Sequence, residues 1–331
     1  MSHLHQNNGK IFVVCEKTNR NKEFKNQKWI CEDLVDRLKR HFPYKFTNKP
    51  SEAFLIWFFS PWMFKKVPDG LKSSEWLSLL KSKKVIFTQH HIDPTKLDQY
   101  ESQFKFMNTY GDGFQAICRK TQESLSQYVP ASKIFCLHLF GNPEVFHPLK
   151  EDIKESLRQK YKFGSDAFLV GSFQKDTEGG SNLPKLSKGP DIFLKIIEHM
   201  HQQNPKVEVI LSGLRREYII KGLQKLKIKY HYFNMISLEQ LNELYNCLNL
   251  YLISSRCEGG PYSIFEAGLC QTPLISTKVG IAPEVCHPES LFDSENWESY
   301  QQAKSHTDYL HRKISERSGS EYMDKFLKSL S

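Results

Sequence analysis

The sequence predicts an α/β protein built from two parallel-sheet domains. Length is one reason, since 331 residues correspond to about two domains at ~150 residues each. Alternation is another: apolar, β-prone runs and amphipathic helical stretches succeed one another along the chain, which implies parallel sheets. The third is a strand, a glycine turn and a helix in succession over residues 248–269, a geometry that makes an anion site.

Taken in order, residues 10–15 (KIFVVC) read as a first strand, residues 27–41 as an amphipathic helix with Ile30, Leu34, Val35 and Leu38 on one face, and residues 53–59 as a second buried strand. No dinucleotide fingerprint follows the first strand. Glu16-Lys17-Thr18-Asn19-Arg20-Asn21-Lys22 stands where a glycine-rich loop would be, which counts against a nicotinamide or flavin enzyme. Residues 84–91 form a strand ending in His90-His91. Gly141-Asn142-Pro143 followed by Phe146-His147-Pro148 is turn chemistry and a natural domain boundary. Residues 207–213 read as strand and glycine turn, and a helix begins near Leu238 behind the capping box Ser237-x-x-Gln240.

Residues 248–254 (LNLYLIS) are a buried strand, Gly259-Gly260-Pro261 is a turn, and residues 264–269 start a helix. The first-turn amides of such a helix lack intrahelical partners and carry the positive end of its dipole, so a diphosphate can dock there without a metal. Glu258, ahead of the turn, is placed to hold sugar hydroxyls, and Glu266, inside the helix, to reach a ribose. Ser263-x-x-Glu266 is equally a capping box, and spacing alone leaves both open. The sequel is turn and strand (residues 270–277), then a second glycine-bearing loop at Gly280.

Residues 254–284 together closely resemble the signature of glycosyltransferase family 4, the "group 1" retaining enzymes of the GT-B fold. The resemblance implies two Rossmann-like domains facing across a cleft: an acceptor-side domain over residues 1–146, a nucleotide-sugar domain over 147–300, and a helical segment over 301–331 that crosses back to the first domain. It implies that Glu258 contacts the donor sugar, that Glu266 contacts the ribose, and that Gly259, Gly260 and the amides of Ser263, Ile264 and Phe265 face the diphosphate. Residues 168–173 (FLVGSF) look like the first donor-domain strand, with Gly171 beside the donor. Lys188-Gly189 looks like the family's K-G pair, which makes Lys188 the phosphate-binding lysine; a fixed cation there stabilises the charge that grows on the leaving nucleotide. Ile236 falls where family members stack on the base, though a plain core or loop position fits it equally. His90 matches a histidine near the transferred sugar, the alternative being a strand-end histidine satisfied by backbone.

Two departures qualify the match. An arginine usual after the first donor-domain glycine is absent, Gly171 being followed by Ser172, Phe173 and Gln174. Either Lys175 substitutes, or binding relies on Lys188 and backbone amides. The family's small glycine loop after the first strand is also missing.

Charge is uneven. Residues 1–150 hold 23 Lys+Arg against 14 Asp+Glu and residues 151–331 hold 23 of each, so the whole net charge of +9 sits in the acceptor-side half. Such a surface attracts acidic partners: anionic lipid, an acidic glycan or nucleic acid. Residues 58–64 with Lys65-Lys66 suggest peripheral contact with an anionic membrane; buried aromatics beside solvated lysines are the alternative. The start MSHLHQNNGK has no apolar core of a secretion signal, and no run approaches the ~20 apolar residues of a spanning helix. Eight cysteines without a C-x-x-C pair read as reduced thiols of a cytoplasmic protein rather than a disulfide or zinc framework.

These readings converge on a retaining glycosyltransferase that moves a sugar from a nucleotide-sugar to a hydroxyl of a glycan, lipid-linked or other acceptor. No cofactor and no metal are implied, and the sequence has no Asp-x-Asp. The rivals are a non-catalytic polyanion or nucleic-acid binding protein on a GT-B scaffold, and a sugar-nucleotide epimerase.

Overall fold

The computed structural model describes residues 9–17, 30–179 and 183–330. They form two compact units: unit 1 takes the chain up to residue 139 and again from 320, and unit 2 takes residues 140–319.

Unit 1 runs β1 (Lys10–Val14), α1 (Ile30–His41), β2 (Ala53–Phe58), α2 (Ser73–Ser82), β3 (Lys84–Gln89), α3 (Glu101–Tyr110), β4 (Gly113–Ala116), α4 (Arg119–Leu125) and β5 (Ile134–Cys136). Its sheet is parallel, in the order β1-β2-β3-β4-β5. A single parallel bridge, Ile11 to Phe46, lies on the other edge of β1, with the Thr47 amide donating to the Ile11 carbonyl at 3.0 Å. The chain therefore leaves β1 in one direction and returns past it in the other. Right-handed crossovers then place α1 on one face and α2, α3 and α4 on the opposite face.

Side-chain alternation agrees. Ile56 and Phe58 point into a core with Trp76 and Leu80 of α2, Phe104 and Met107 of α3 and Leu125 of α4. Phe58 stacks on Phe87 at 4.6 Å. Trp57 points the other way, donating from Nε1 to Thr88 (2.8 Å), whose hydroxyl donates to Gln115 (2.7 Å). The interfacial reading of residues 58–64 is corrected for most of the stretch: Phe58, Phe59 and Pro61 are buried, and Trp62 is the residue that emerges, at 44% exposure.

Unit 2 runs α5 (Glu151–Lys160), β6 (Phe168–Ser172), α6 (Pro190–Gln203), β7 (Val207–Ser212), α7 (Glu217–Leu226), β8 (Tyr230–Phe233), α8 (Leu238–Cys247), β9 (Leu250–Ile253), α9 (Ser263–Leu269), β10 (Leu274–Thr277), α10 (Ala282–Val285), β11 (Leu291–Phe292) and α11 (Thr307–Ser315). The sheet is parallel, in the order β11-β10-β9-β6-β7-β8. Strand order reverses between β6 and β9, so a crevice opens beyond their carboxyl ends, where ligands bind in open α/β sheets.

The division between units falls at 139/140, ahead of the expected 146/147. The turn that follows is tied into unit 2: the Gly141 amide donates to the Arg317 carbonyl at 3.0 Å, and the amides of His147 and Leu149 donate to Asn242 (3.2 Å) and Asn246 (2.8 Å) of α8. The chain rejoins unit 1 at 320 rather than 301, because α11 packs on α9 through Leu310 and Ile314, which meet Gly268. The last helix, α12 (Gly319–Leu330), buries Met323, Phe326, Leu327 and Leu330. Phe326 lies 5.8 Å from Trp57, and Asp324 pairs with Lys45 at 3.2 Å, so α12 covers the face of the unit 1 sheet opposite α2–α4.

None of the eight cysteines is in a disulfide. Among the described residues, no helix is long and apolar enough to cross a membrane. Residues 18–22 of the segment expected to replace a glycine loop, and the first residues of the helix expected from 27, lie outside the described residues.

Candidate functional site

The crevice of unit 2 is built by three chain segments meeting at the ends of β6 and β9. Ser254 and Ser255 leave β9 fully buried. Against them lies the turn before α6, where Gly189 has φ +59° and a Cβ would stand 1.9 Å from the Ser254 carbonyl oxygen. Only glycine fits, because the backbone is left-handed and touches the neighbouring strand end. The amides of Arg256 and Cys257 donate to the Ser187 carbonyl at 2.8 and 3.0 Å, and Arg256 forks onto Asp191 with two bonds of 2.7 Å. That bidentate pair holds the Asp191 carboxyl below the ordinary range despite its partial burial.

Locked in this way, Lys188 and Glu258 meet. The Lys188 ammonium is ion-paired with Glu258 Oε1, their side chains keeping 22% and 9% exposure. The Ser255 hydroxyl lies 3.3 Å from both Glu258 Oε1 and Gln174 Oε1 and donates to one at a time. Gln174 in turn donates to the Lys188 carbonyl at 3.1 Å. A cation, a carboxylate and an amide thus converge at the switch point.

Gly280, at φ +51°, closes the other side. A Cβ there would lie 2.1 Å from the Gly259 carbonyl oxygen, so the second glycine loop presses on the first. Gly259 is buried and Gly260 partly so.

Glu266 belongs to a different network. The Tyr245 hydroxyl of α8 donates to Glu266 Oε2 at 2.7 Å; burial first, and the glutamate beside it second, push the Tyr245 pKa well up. The capping box is not formed. Tyr262, not Ser263, is the N-cap residue, in helical conformation and without a side-chain cap. The expected anion-facing amides are also reduced: Ile264 donates to Pro261 (2.9 Å) and Phe265 to Tyr262 (2.9 Å). Ser263, of the three, makes no backbone bond of that kind among the described residues.

The remaining expected residues lie as follows. Gly171 is inside β6 with a Cβ position 2.3 Å from Leu248, so its smallness admits a packed leucine. Lys175 is half-buried in the loop after β6, and Ile236 is half-buried between β8 and α8. His90 is in unit 1, directly after β3, with Nε2 2.8 Å from the Phe59 carbonyl and its ring against Phe59 and Trp62. Burial lowers its pKa to about 4, against the opposing effect of that carbonyl.

Sequence reading missed several members of the site. Ser255, Gln174 and the Arg256–Asp191 fork are polar residues next to strand ends, distinguishable from solvated neighbours only by partner. Arg216 is another. Fully buried after β7, it donates to the Ser172 hydroxyl at 3.1 Å and stands 2.9 Å from Asp176. A guanidinium thus reaches the end of β6 from a different strand than the one expected to supply it. Desolvation dominates this pair, raising the Asp176 pKa and lowering that of Arg216.

Two parallel-sheet α/β units of this kind are the architecture of the GT-B fold. Residues 183–317 match the family described as glycosyl transferases group 1. The chain is 26% identical over 155 residues to the alpha-galactosylglucosyldiacylglycerol synthase of Streptococcus pneumoniae (strain ATCC BAA-255 / R6), a match covering 44% of this chain and 38% of the relative. The chain therefore spans well under half of that relative. In fold it resembles Anabaena Alr3699/HepE, described in complex with UDP and glucose, with a TM-score of 0.69 at 15% identity over 89% of this chain and 80% of that one. Sucrose-phosphate synthase from Thermosynechococcus elongatus gives 0.65 at 15% identity over 91% and 78%.

Proposed function

We propose that this protein is a retaining glycosyltransferase that transfers a sugar from a nucleotide-sugar to an acceptor hydroxyl without a divalent metal. The observation that carries the reading is the Lys188–Glu258 pair at the β6/β9 switch point of unit 2. With no donor bound, each neutralises the other. A donor diphosphate takes Lys188 as its counter-ion, which releases the Glu258 carboxylate to accept hydrogen bonds from sugar hydroxyls. Lys188 then faces the charge that develops on the departing nucleoside diphosphate, where a fixed cation lowers the barrier. The leaving phosphate takes the acceptor proton on the same face, so Glu258 orients the sugar and is not the nucleophile. Glu266, aimed by Tyr245, accepts from the ribose.

The acceptor class is drawn from the relative whose name is that of a diacylglycerol glycolipid synthase, which supports a lipid-linked acceptor for this chain. Cytoplasmic residence at an anionic membrane is consistent with the basic first half and with Tyr44 (69%), Phe54 (40%) and Trp62 (44%) exposed on unit 1. His90 is assigned to the acceptor side as a neutral imidazole.

The test is a thermal-shift screen against UDP-, GDP-, ADP- and dTDP-sugars in EDTA, repeated on Glu266→Ala and Lys188→Ala. One nucleotide-sugar should stabilise the protein, and both substitutions should weaken the shift. Silence toward every donor, with salt-sensitive binding to polyanions instead, would replace transfer by the polyanion-binding reading. Donor conversion without any acceptor would favour the epimerase.

A further inference from the structure

Apart from the switch-point crevice, unit 2 carries a second cluster of chemically active side chains. His287 precedes the turn Pro288–Ser290, Glu289 is inside it, and His306 is the N-cap of α11. The two imidazole rings stack with centroids 3.8 Å apart. Glu289 Oε2 is 2.7 Å from His306 Nε2 and 4.0 Å from His287 Nδ1. One ligand atom from each residue can be chosen so that all lie within 4.8 Å of one another.

We propose that His287, Glu289 and His306 bind a divalent transition metal of the zinc class. Tetrahedral zinc with ligands at 2.0–2.1 Å separates neighbouring ligand atoms by about 3.3 Å, between the two glutamate–histidine distances observed. Two imidazoles and one carboxylate suit zinc, nickel or copper; magnesium and calcium prefer all-oxygen shells. The residues are 32%, 58% and 33% exposed in side chain, so an ion has an entry path and room for a water as fourth ligand.

The backbone around them is already fixed. The Lys304 amide donates to the Glu289 carbonyl at 2.8 Å, the Ser290 hydroxyl donates to the Lys304 carbonyl at 2.7 Å, and the His306 amide donates to the Ser290 hydroxyl at 3.2 Å. The segments that bear the ligands are therefore held together before any ion arrives, which reduces the ordering cost of binding. Two features oppose the ion. The Lys304 charge acts on Glu289, and His287 Nδ1 accepts from the Glu289 amide at 3.3 Å, a bond lost if that nitrogen ligates. The consequence of binding is mechanical. It staples the turn before β11 to the start of α11, which packs on α9 and donates from His311 Nδ1 to the Gly268 carbonyl at 2.9 Å.

The experiment uses the full chain, stripped with chelator and dialysed. Zn2+ is titrated calorimetrically, and Co2+ is followed by its visible absorption. The expected result is one equivalent of zinc bound, a cobalt spectrum of nitrogen and oxygen ligation, and a rise in Tm, all lost in His287→Ala and in His306→Ala. Circular dichroism in chelator establishes that the variants fold; if one does not, Glu289→Gln, which keeps shape and removes the anionic ligand, takes its place. No binding by the parent chain, or unchanged zinc affinity in the folded variants, overturns the proposal. Because no nucleotide-sugar is present, the outcome is independent of the transferase reading.

Discussion

Gly189 illustrates how a single residue sets the candidate site. Its left-handed backbone and its approach to the Ser254 carbonyl bring Lys188 over Glu258. Gly189→Ala is expected to cost about 1–2 kcal/mol from backbone strain alone, with displacement of the β9 end added. Denaturant unfolding should register the loss, and donor-induced stabilisation should fall further than the stability change explains; unaltered donor response in a destabilised variant would separate the turn from binding. His90 makes a pH statement. Its folded pKa of about 4 lies below the ordinary 6.5, so the unfolded chain takes up this proton first as pH falls. Stability is thus lost between about 6.5 and about 4. His90→Gln should flatten that part of the Tm profile. An identical acid limb would place the sensitivity elsewhere.

At the scale of elements, α12 and α9 carry the most. Helix α12 follows unit 2 in sequence yet packs in unit 1, where its apolar face meets the Trp57 side of the sheet. Phe326 is 1% exposed, and Phe326→Ala should destabilise unit 1 by about 3–5 kcal/mol, read by loss of the Trp57 near-UV signal at lower denaturant. A change below 1 kcal/mol would mean that α12 is not part of that core. Helix α9 shows why a local motif underdetermines chemistry. Ser263-x-x-Glu266 satisfies the capping-box pattern, but the helix starts a residue earlier in its geometry, with Tyr262 as N-cap and Glu266 taken by Tyr245. A hydrogen bond from another helix reaches the carboxylate that the local pattern reserves for the cap.

Across the whole molecule, each unit has a strand order that reverses beside one central strand: β1, flanked by the Phe46 bridge and β2, and β6, flanked by β9 and β7. The parallel α/β class and the glycine turns were legible from sequence, since periodicity and turn chemistry are encoded within short windows, and a dense local motif was enough to name Lys188, Glu258 and Glu266 as candidates. The positive excess of the first half was equally readable, because charge counts require no coordinates. Three-dimensional packing decided the rest. It tied residues 140–146 to unit 2 through the Gly141–Arg317 bond and α11 through Leu310 and Ile314 against Gly268, and delivered Arg216 to Ser172 where the expected arginine is absent from the β6 loop. It also paired Lys188 with Glu258 and turned His287, Glu289 and His306 toward one point. The physical reason is that most of these partners are separated by tens of residues, and their meeting depends on which strands become neighbours, a long-range choice that no local pattern of residues records.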